Sequence, residues 1–130
     1  MTIQETLTNY LVGRRITTAD RDTLTLDNGT TLLLYESEQD CCARVHGKWK
    51  ILDPDRLEAA ITHVEYEEDD YDDGDTRVAT CRITILHNQN PIALGDGHAD
   101  AGNGGYYFSA LSLEITVDGT TVHDEEVISA

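Results

Sequence analysis

Positive charge is scarce in this sequence. The only lysines are Lys48 and Lys50, and nine basic residues face 25 acids, for a net charge of −16. From Ile83 to Ala130 there is no lysine or arginine at all. Binding of nucleic acid through its phosphates needs clustered cations, so that function class is excluded, as is adsorption to an anionic membrane surface. What such a balance allows is a partner protein with a basic surface, or solubility through self-repulsion. Cysteine is also sparse: three residues, an odd number without framework spacing, do not make a secreted disulfide scaffold. No apolar run approaches the ~18 residues of a membrane helix. The start, MTIQETLTNYLVGRR, lacks a basic segment followed by an apolar core, so it does not read as a secretory signal. The expected location is the cytoplasm. A length of 130 residues predicts one domain spanning 1–130.

The hydrophobic pattern is mostly that of strands. Ile3, Leu7, Tyr10 and Leu11 do fall on a helical stripe, with Thr2 and Glu5 at capping-box spacing and Gly13 as a stop, so a short helix is predicted over 1–13. Asp53 and Pro54 supply an N-cap and a first-turn proline for a second short helix near 54–60. Elsewhere short β-branched and alternating runs dominate. Asp27-Asn28-Gly29 and Asp118-Gly119 mark hairpins. Ala79, Cys81, Ile83 and Ile85 share one strand face; Leu111, Leu113, Ile115 and Val117 share another. The expected fold is mainly β: an antiparallel sandwich or partly open barrel of about seven to nine short strands. Two loops are expected between strands, an acidic one at 65–75 and a glycine-rich one at 95–105.

Four stretches bear on chemistry. The first is DCCARVHGKWK, residues 40–50. Adjacent residues on a strand point to opposite faces, so Cys41 and Cys42 would not ligate one ion easily. A metal site would need one of them with His46 and a further ligand such as Cys81 or His63. The simpler expectation puts one cysteine in the core and the other near the surface; a strained ring joining the two is the remaining option. A nucleophilic cysteine would need an activating base and an orienting group, and only His46 is in reach by sequence. The second stretch, EYEEDDYDDGD, carries eight carboxylates from Glu65 to Asp75. Its resemblance to a calcium loop fails at Tyr71 and Thr80, where ligand oxygens belong. It reads as a solvated loop or as a surface for a basic partner, formed by Glu65, Tyr66, Glu67, Glu68, Asp69, Asp70, Tyr71, Asp72 and Asp73. The third, GDGHADAGNGGYY, alternates Asp96, His98 and Asp100, which would share one face of a strand as a weak metal constellation. It lacks the lysine and spacing of a phosphate loop. The fourth is a small basic group, Arg44, Lys48 and Lys50 on one strand face, with Arg56 nearby. Pairing with the acidic loop is the expected use of these cations, with a small anion-binding patch as the alternative.

Several of these pieces resemble, together, a family of small proteins from actinobacteria and their phages described as domains of unknown function. The likeness runs over about residues 13–117: GRRI, LTLDNGTTLLLYE, DCC, GKW, and a glycine-rich segment before GYYF. Its most specific elements are Cys41-Cys42 and Gly105-Tyr106-Tyr107. The resemblance implies provenance and carries over no catalytic residue.

The leading expectation is therefore a non-enzymatic acidic interaction protein, phage or phage-derived, without a cofactor, that binds a host or phage protein with a basic surface; a homo-oligomer is left open. A second reading is an acidic mimic of nucleic acid that occupies a DNA-binding protein. A third is a metal-binding protein or metal-dependent enzyme built on Asp96, His98 and Asp100, or on Cys41, Cys42 and His46.

Overall fold

The computed structural model describes residues 2–72, 74, 76–102 and 107–130. Helix α1 spans Ile3–Leu11. Thr2 caps it by accepting the Glu5 N–H at 3.1 Å. The helix ends where Val12 turns extended and Gly13 takes a φ of +88°. Leu7 and Leu11 of the stripe are fully buried, and Ile3 and Tyr10 pack at its margin.

Nine antiparallel strands follow among the described residues: β1 (Ile16–Asp20), β2 (Thr23–Leu26), β3 (Thr31–Gln39), β4 (Arg44–Ile51), β5 (His63–Asp72), β6 (Arg77–His87), β7 (Asn90–Asp100), β8 (Ser109–Val117) and β9 (Thr120–Ser129). They form two sheets, ordered β1-β2-β3-β8-β9 and β4-β7-β6-β5. The fold is a sandwich, not a closed barrel. The expected hairpins are present: Asn28 accepts the Thr30 N–H at its turn, and Asp118 and Gly119 both adopt positive φ. A third two-residue turn, Asn88-Gln89, also with positive φ at both positions, joins β6 to β7. Among the described residues no helix is long and apolar enough to cross a membrane.

Alternation fills the interior. Leu24, Leu32, Leu34, Leu111, Leu113 and Ile115 from one sheet face Val45, Trp49, Cys81, Ile83 and Ile85 from the other. Each fully buried leucine or isoleucine adds about 1.5–3 kcal/mol to the driving force.

Three expectations are corrected. The helix near 54–60 is only a 3-10 turn, Pro54–Arg56. Asp53 caps it and pairs with Arg56 at 3.0 Å, but Ile61 is buried and bonded through its backbone to Gly13 and Arg14, which pulls the chain away from a second turn. The acidic loop of 65–75 is strand up to Asp72. Its register with β6 runs unbroken from His63↔Leu86 to Asp72↔Arg77. Carboxylates are poor strand formers, but at a sheet edge they project into water while the backbone ladder forms on the other side. The glycine-rich loop of 95–105 is strand up to Asp100, paired on both sides. Its glycines serve packing. A Cβ on Gly97 would lie 2.5 Å from both Leu111 Cδ2 and Cys81 Sγ, and one on Gly95 would lie 2.7 Å from the Trp49 ring. Leu111 from the facing sheet, and Trp49 and Cys81 from the neighbouring strands of the same sheet, occupy that space.

Candidate functional site

The second sheet turns one face outward, and strand register sets what meets there. Across β4, β7, β6 and β5 the rows read Arg44–Asp100–Val78–Tyr71, His46–His98–Thr80–Asp69, and Lys48–Asp96–Arg82–Glu67. Asp96, His98 and Asp100 thus share a face, as their alternation predicts. They do not converge. Strand geometry keeps alternate side chains about 7 Å apart along the chain, and each has its own neighbour across it. Asp96 faces Arg82, with Nε to Oδ1 at 3.6 Å. His98 stacks on His46, ring centroids 5.2 Å apart. Asp100 accepts hydrogen bonds from the Gly102 N–H at 2.7 Å and the Thr76 hydroxyl at 2.9 Å. The Gly102 bond, aided by Thr76, holds the Asp100 carboxyl below its ordinary pKa. Among the described residues no group of three His, Cys, Asp or Glu side chains is placed to hold a metal ion.

A shallow groove of about 400 Å³ crosses this face, lined by His46, Lys48, Glu67, Asp69, Arg82 and His98 among others. Partial burial, the nearby His98 and then Lys48 push the His46 pKa down. Cations and acids alternate in the groove, so it presents no single sign to a ligand.

The adjacent cysteines are not strand residues. Cys41 and Cys42 form the turn between β3 and β4, and both are exposed. The expectation that one of the pair packs into the core is thereby corrected: the third cysteine, Cys81, takes that place. His46 lies along β4 on the outward face, apart from both thiols in the ladder.

The strongest concentration of one charge is at the β5 edge. Glu65, Glu67 and Asp69 project outward; Glu68, Asp70 and Asp72 project to the other face, toward the first sheet. Of the expected partner-binding residues, Glu65 through Asp72 all lie on this strand, and Asp73 lies outside the described residues. Tyr71 is 48% exposed, whereas Tyr66 is half-buried. The Tyr66 hydroxyl donates to Glu68 at 3.0 Å and reaches the Val127 carbonyl at 3.4 Å. Burial first, then the neighbouring Cys81 and Glu68, hold its proton on far more tightly than in free tyrosine.

Sequence reasoning missed how this edge is closed and where it opens. Helix α1 packs against β5, and Gln4 binds it as a neighbouring strand would: its amide donates to the Val64 carbonyl and accepts the Tyr66 N–H at 2.8 Å. The edge-facing backbone groups of β5 are therefore those of its even-numbered residues. Beyond Tyr66 the Gln4 clamp ends. There a second cavity of about 380 Å³ lies between β5 and the β9 edge of the other sheet, lined by Glu68, Asp69, Asp70, Glu126, Val127 and Ser129 among others. Among the described residues Arg77 is the cation that pairs with an acid here, reaching Asp70 at 3.0 Å with both side chains well exposed. Among the described residues no ion pair joins Arg44, Lys48 or Lys50 to the β5 acids, and Arg56 pairs with Asp53 instead. No periodicity signals a glutamine on one element bonding an edge sixty residues away.

Over residues 9–113 the chain matches the family described as domain of unknown function DUF7448, and it belongs to that family. No curated protein and no solved structure matches it.

Proposed function

For this member of the DUF7448 family we propose a non-enzymatic role: an acidic interaction protein that receives a basic segment of a partner protein along the β5 edge. The observation that carries the reading is the unclamped half of β5, Glu68–Asp72, standing beside the β9 edge over an acid-lined cavity. An open strand edge offers backbone donors and acceptors to an added strand. Alternate carboxylates on both of its faces would pair with lysine or arginine at alternate positions of that strand. A net charge of −16 would speed the approach of a basic partner. The resemblance to proteins of actinobacteria and their phages supports a phage or phage-derived origin, with the partner in the host cytoplasm.

A mimic of nucleic acid is the second reading. Glu65, Glu67 and Asp69 repeat on one face at about 7 Å, close to the phosphate spacing of a single strand. The adjacent row on β6 is Thr84, Arg82 and Thr80, so the acidic stripe is one strand wide.

The test is affinity capture from host lysate with the wild type and with a variant carrying glutamine at 65, 67 and 68 and asparagine at 69, 70 and 72. A defined partner lost by the variant, released by salt and indifferent to added DNA supports the strand-edge reading. Release by DNA favours the mimic. Equal capture by both proteins returns β5 to the role of a solvated edge protected by its charge.

A further inference from the structure

The turn at 40–43 is built to a degree that a simple connection does not require. The Cys41 and Cys42 sulfurs stand 3.2 Å apart, and both residues are exposed. Cys42 holds a φ of +77°, a region uncommon for residues with a side chain. Its surroundings maintain that geometry. The Asp40 backbone N–H donates to the Phe108 carbonyl at 2.9 Å, and the Asp40 carboxylate accepts the Phe108 N–H at 3.0 Å. Gly102 lies under the turn so closely that a Cβ there would sit 2.6 Å from the Cys42 carbonyl oxygen. The Tyr107 ring closes on the same spot, 2.8 Å from where that Cβ would stand. A dithiol alone supplies only two of the four ligands of a structural zinc site, and among the described residues no third joins it.

We propose that Cys41 and Cys42 form a redox-active dithiol that closes into a vicinal disulfide by exchange with a low-molecular-weight disulfide of the glutathione type. One protein thiolate attacks a sulfur of the small disulfide and expels one small thiolate, leaving a mixed disulfide. The neighbouring protein thiolate then attacks the protein sulfur of that bond, expels the second small thiolate, and closes the ring. The pair of protein thiols is oxidised by two electrons, the small disulfide is reduced to two thiols, and these carry away the two protons. The resolving sulfur is already in place, so the mixed disulfide is short-lived. The ring is also easily reopened. Adjacent Cα atoms are about 3.8 Å apart, less than the roughly 4.4–6.8 Å of unstrained disulfides, and strained bonds are the readily reduced ones. Cys81 takes no part, since it is buried in the core.

The test incubates the full-length protein in glutathione buffers of rising oxidised fraction, traps free thiols by alkylation in acid, and reads the intact mass and the peptide carrying the bond. The expected product is a monomer lighter by two hydrogen atoms, linked between Cys41 and Cys42, and returned to the dithiol by excess reduced glutathione. Cys41→Ser and Cys42→Ser should each instead retain one glutathione. Wild-type protein that accumulates stable glutathione adducts, links between two chains, or stays reduced throughout would overturn the proposal.

Discussion

His46 and His98 lie directly across from each other on β4 and β7, with their rings stacked at 24°. Burial first, then the neighbouring His98 and Lys48, push the His46 pKa below its ordinary 6.5. The folded protein therefore binds fewer protons than the unfolded chain once pH drops to about 6.5. Stability from this source is constant above neutrality and declines as pH falls through about 6.5 toward the lower folded-state value. His46→Gln should remove the effect. Urea midpoints of wild type and variant, compared from pH 8 to pH 5, should shift in favour of the variant as the solution is acidified. Curves that stay parallel would refute the coupling.

The Gln4 clamp on β5 predicts a local effect. Gln4→Ala leaves the Val64 carbonyl and the Tyr66 N–H without their partner. A loss of about 1–3 kcal/mol is expected from chemical denaturation. Hydrogen exchange at Tyr66 should rise more than at Ile83 in the sheet interior. A uniform rise across both would show that the clamp acts only through global stability.

Gly97 gives a packing prediction. In Gly97→Ala the new methyl would meet Leu111, which is fully buried, and Cys81, also buried, so neither can move aside freely. Overpacking of this kind costs about 1–3 kcal/mol. Gly119→Ala meets no atom within 4 Å but forces a side chain onto a φ of +79°, so its loss would be conformational. A double variant with Leu111→Val should recover part of the Gly97→Ala loss and none of the Gly119→Ala loss.

Thiol accessibility separates the three cysteines. Burial, with Asp96 and Glu68 nearby, pushes the Cys81 pKa up to about 12, so it is neither exposed nor ionised at neutral pH. Native protein should alkylate at Cys41 and Cys42 only. Labelling of Cys81 should appear in parallel with unfolding as denaturant is raised, and rapid native labelling would contradict the packing of this core.

Much of this molecule could be read before folding was considered. The capped helix at 3–11, the Asp27-Asn28-Gly29 and Asp118-Gly119 turns, and the inward series Ala79, Cys81, Ile83, Ile85 all depend on interactions within a few residues. Where reading failed, a distant partner had overridden a local signal. Glycines 95 and 97 looked like a flexible turn because the Trp49 and Leu111 side chains that need their space belong to other strands. Carboxylates at 65–72 looked like a loop because strand propensity does not register a ladder donated by β6. Cys41 and Cys42 looked like strand residues because alternation cannot show where a chain leaves one sheet for another.

Composition and short-range order alone determined that this chain is acidic, mainly β and poor in the cations that phosphate binding needs. Those properties are sums over residues or relations between near neighbours. Which strand lies at an edge, how far Gln4 closes that edge, and which side chains meet across the outward face were decided only by tertiary structure. The reason is that sheet order and register are set by pairing between segments tens of residues apart, where the buried faces of two sheets must coincide.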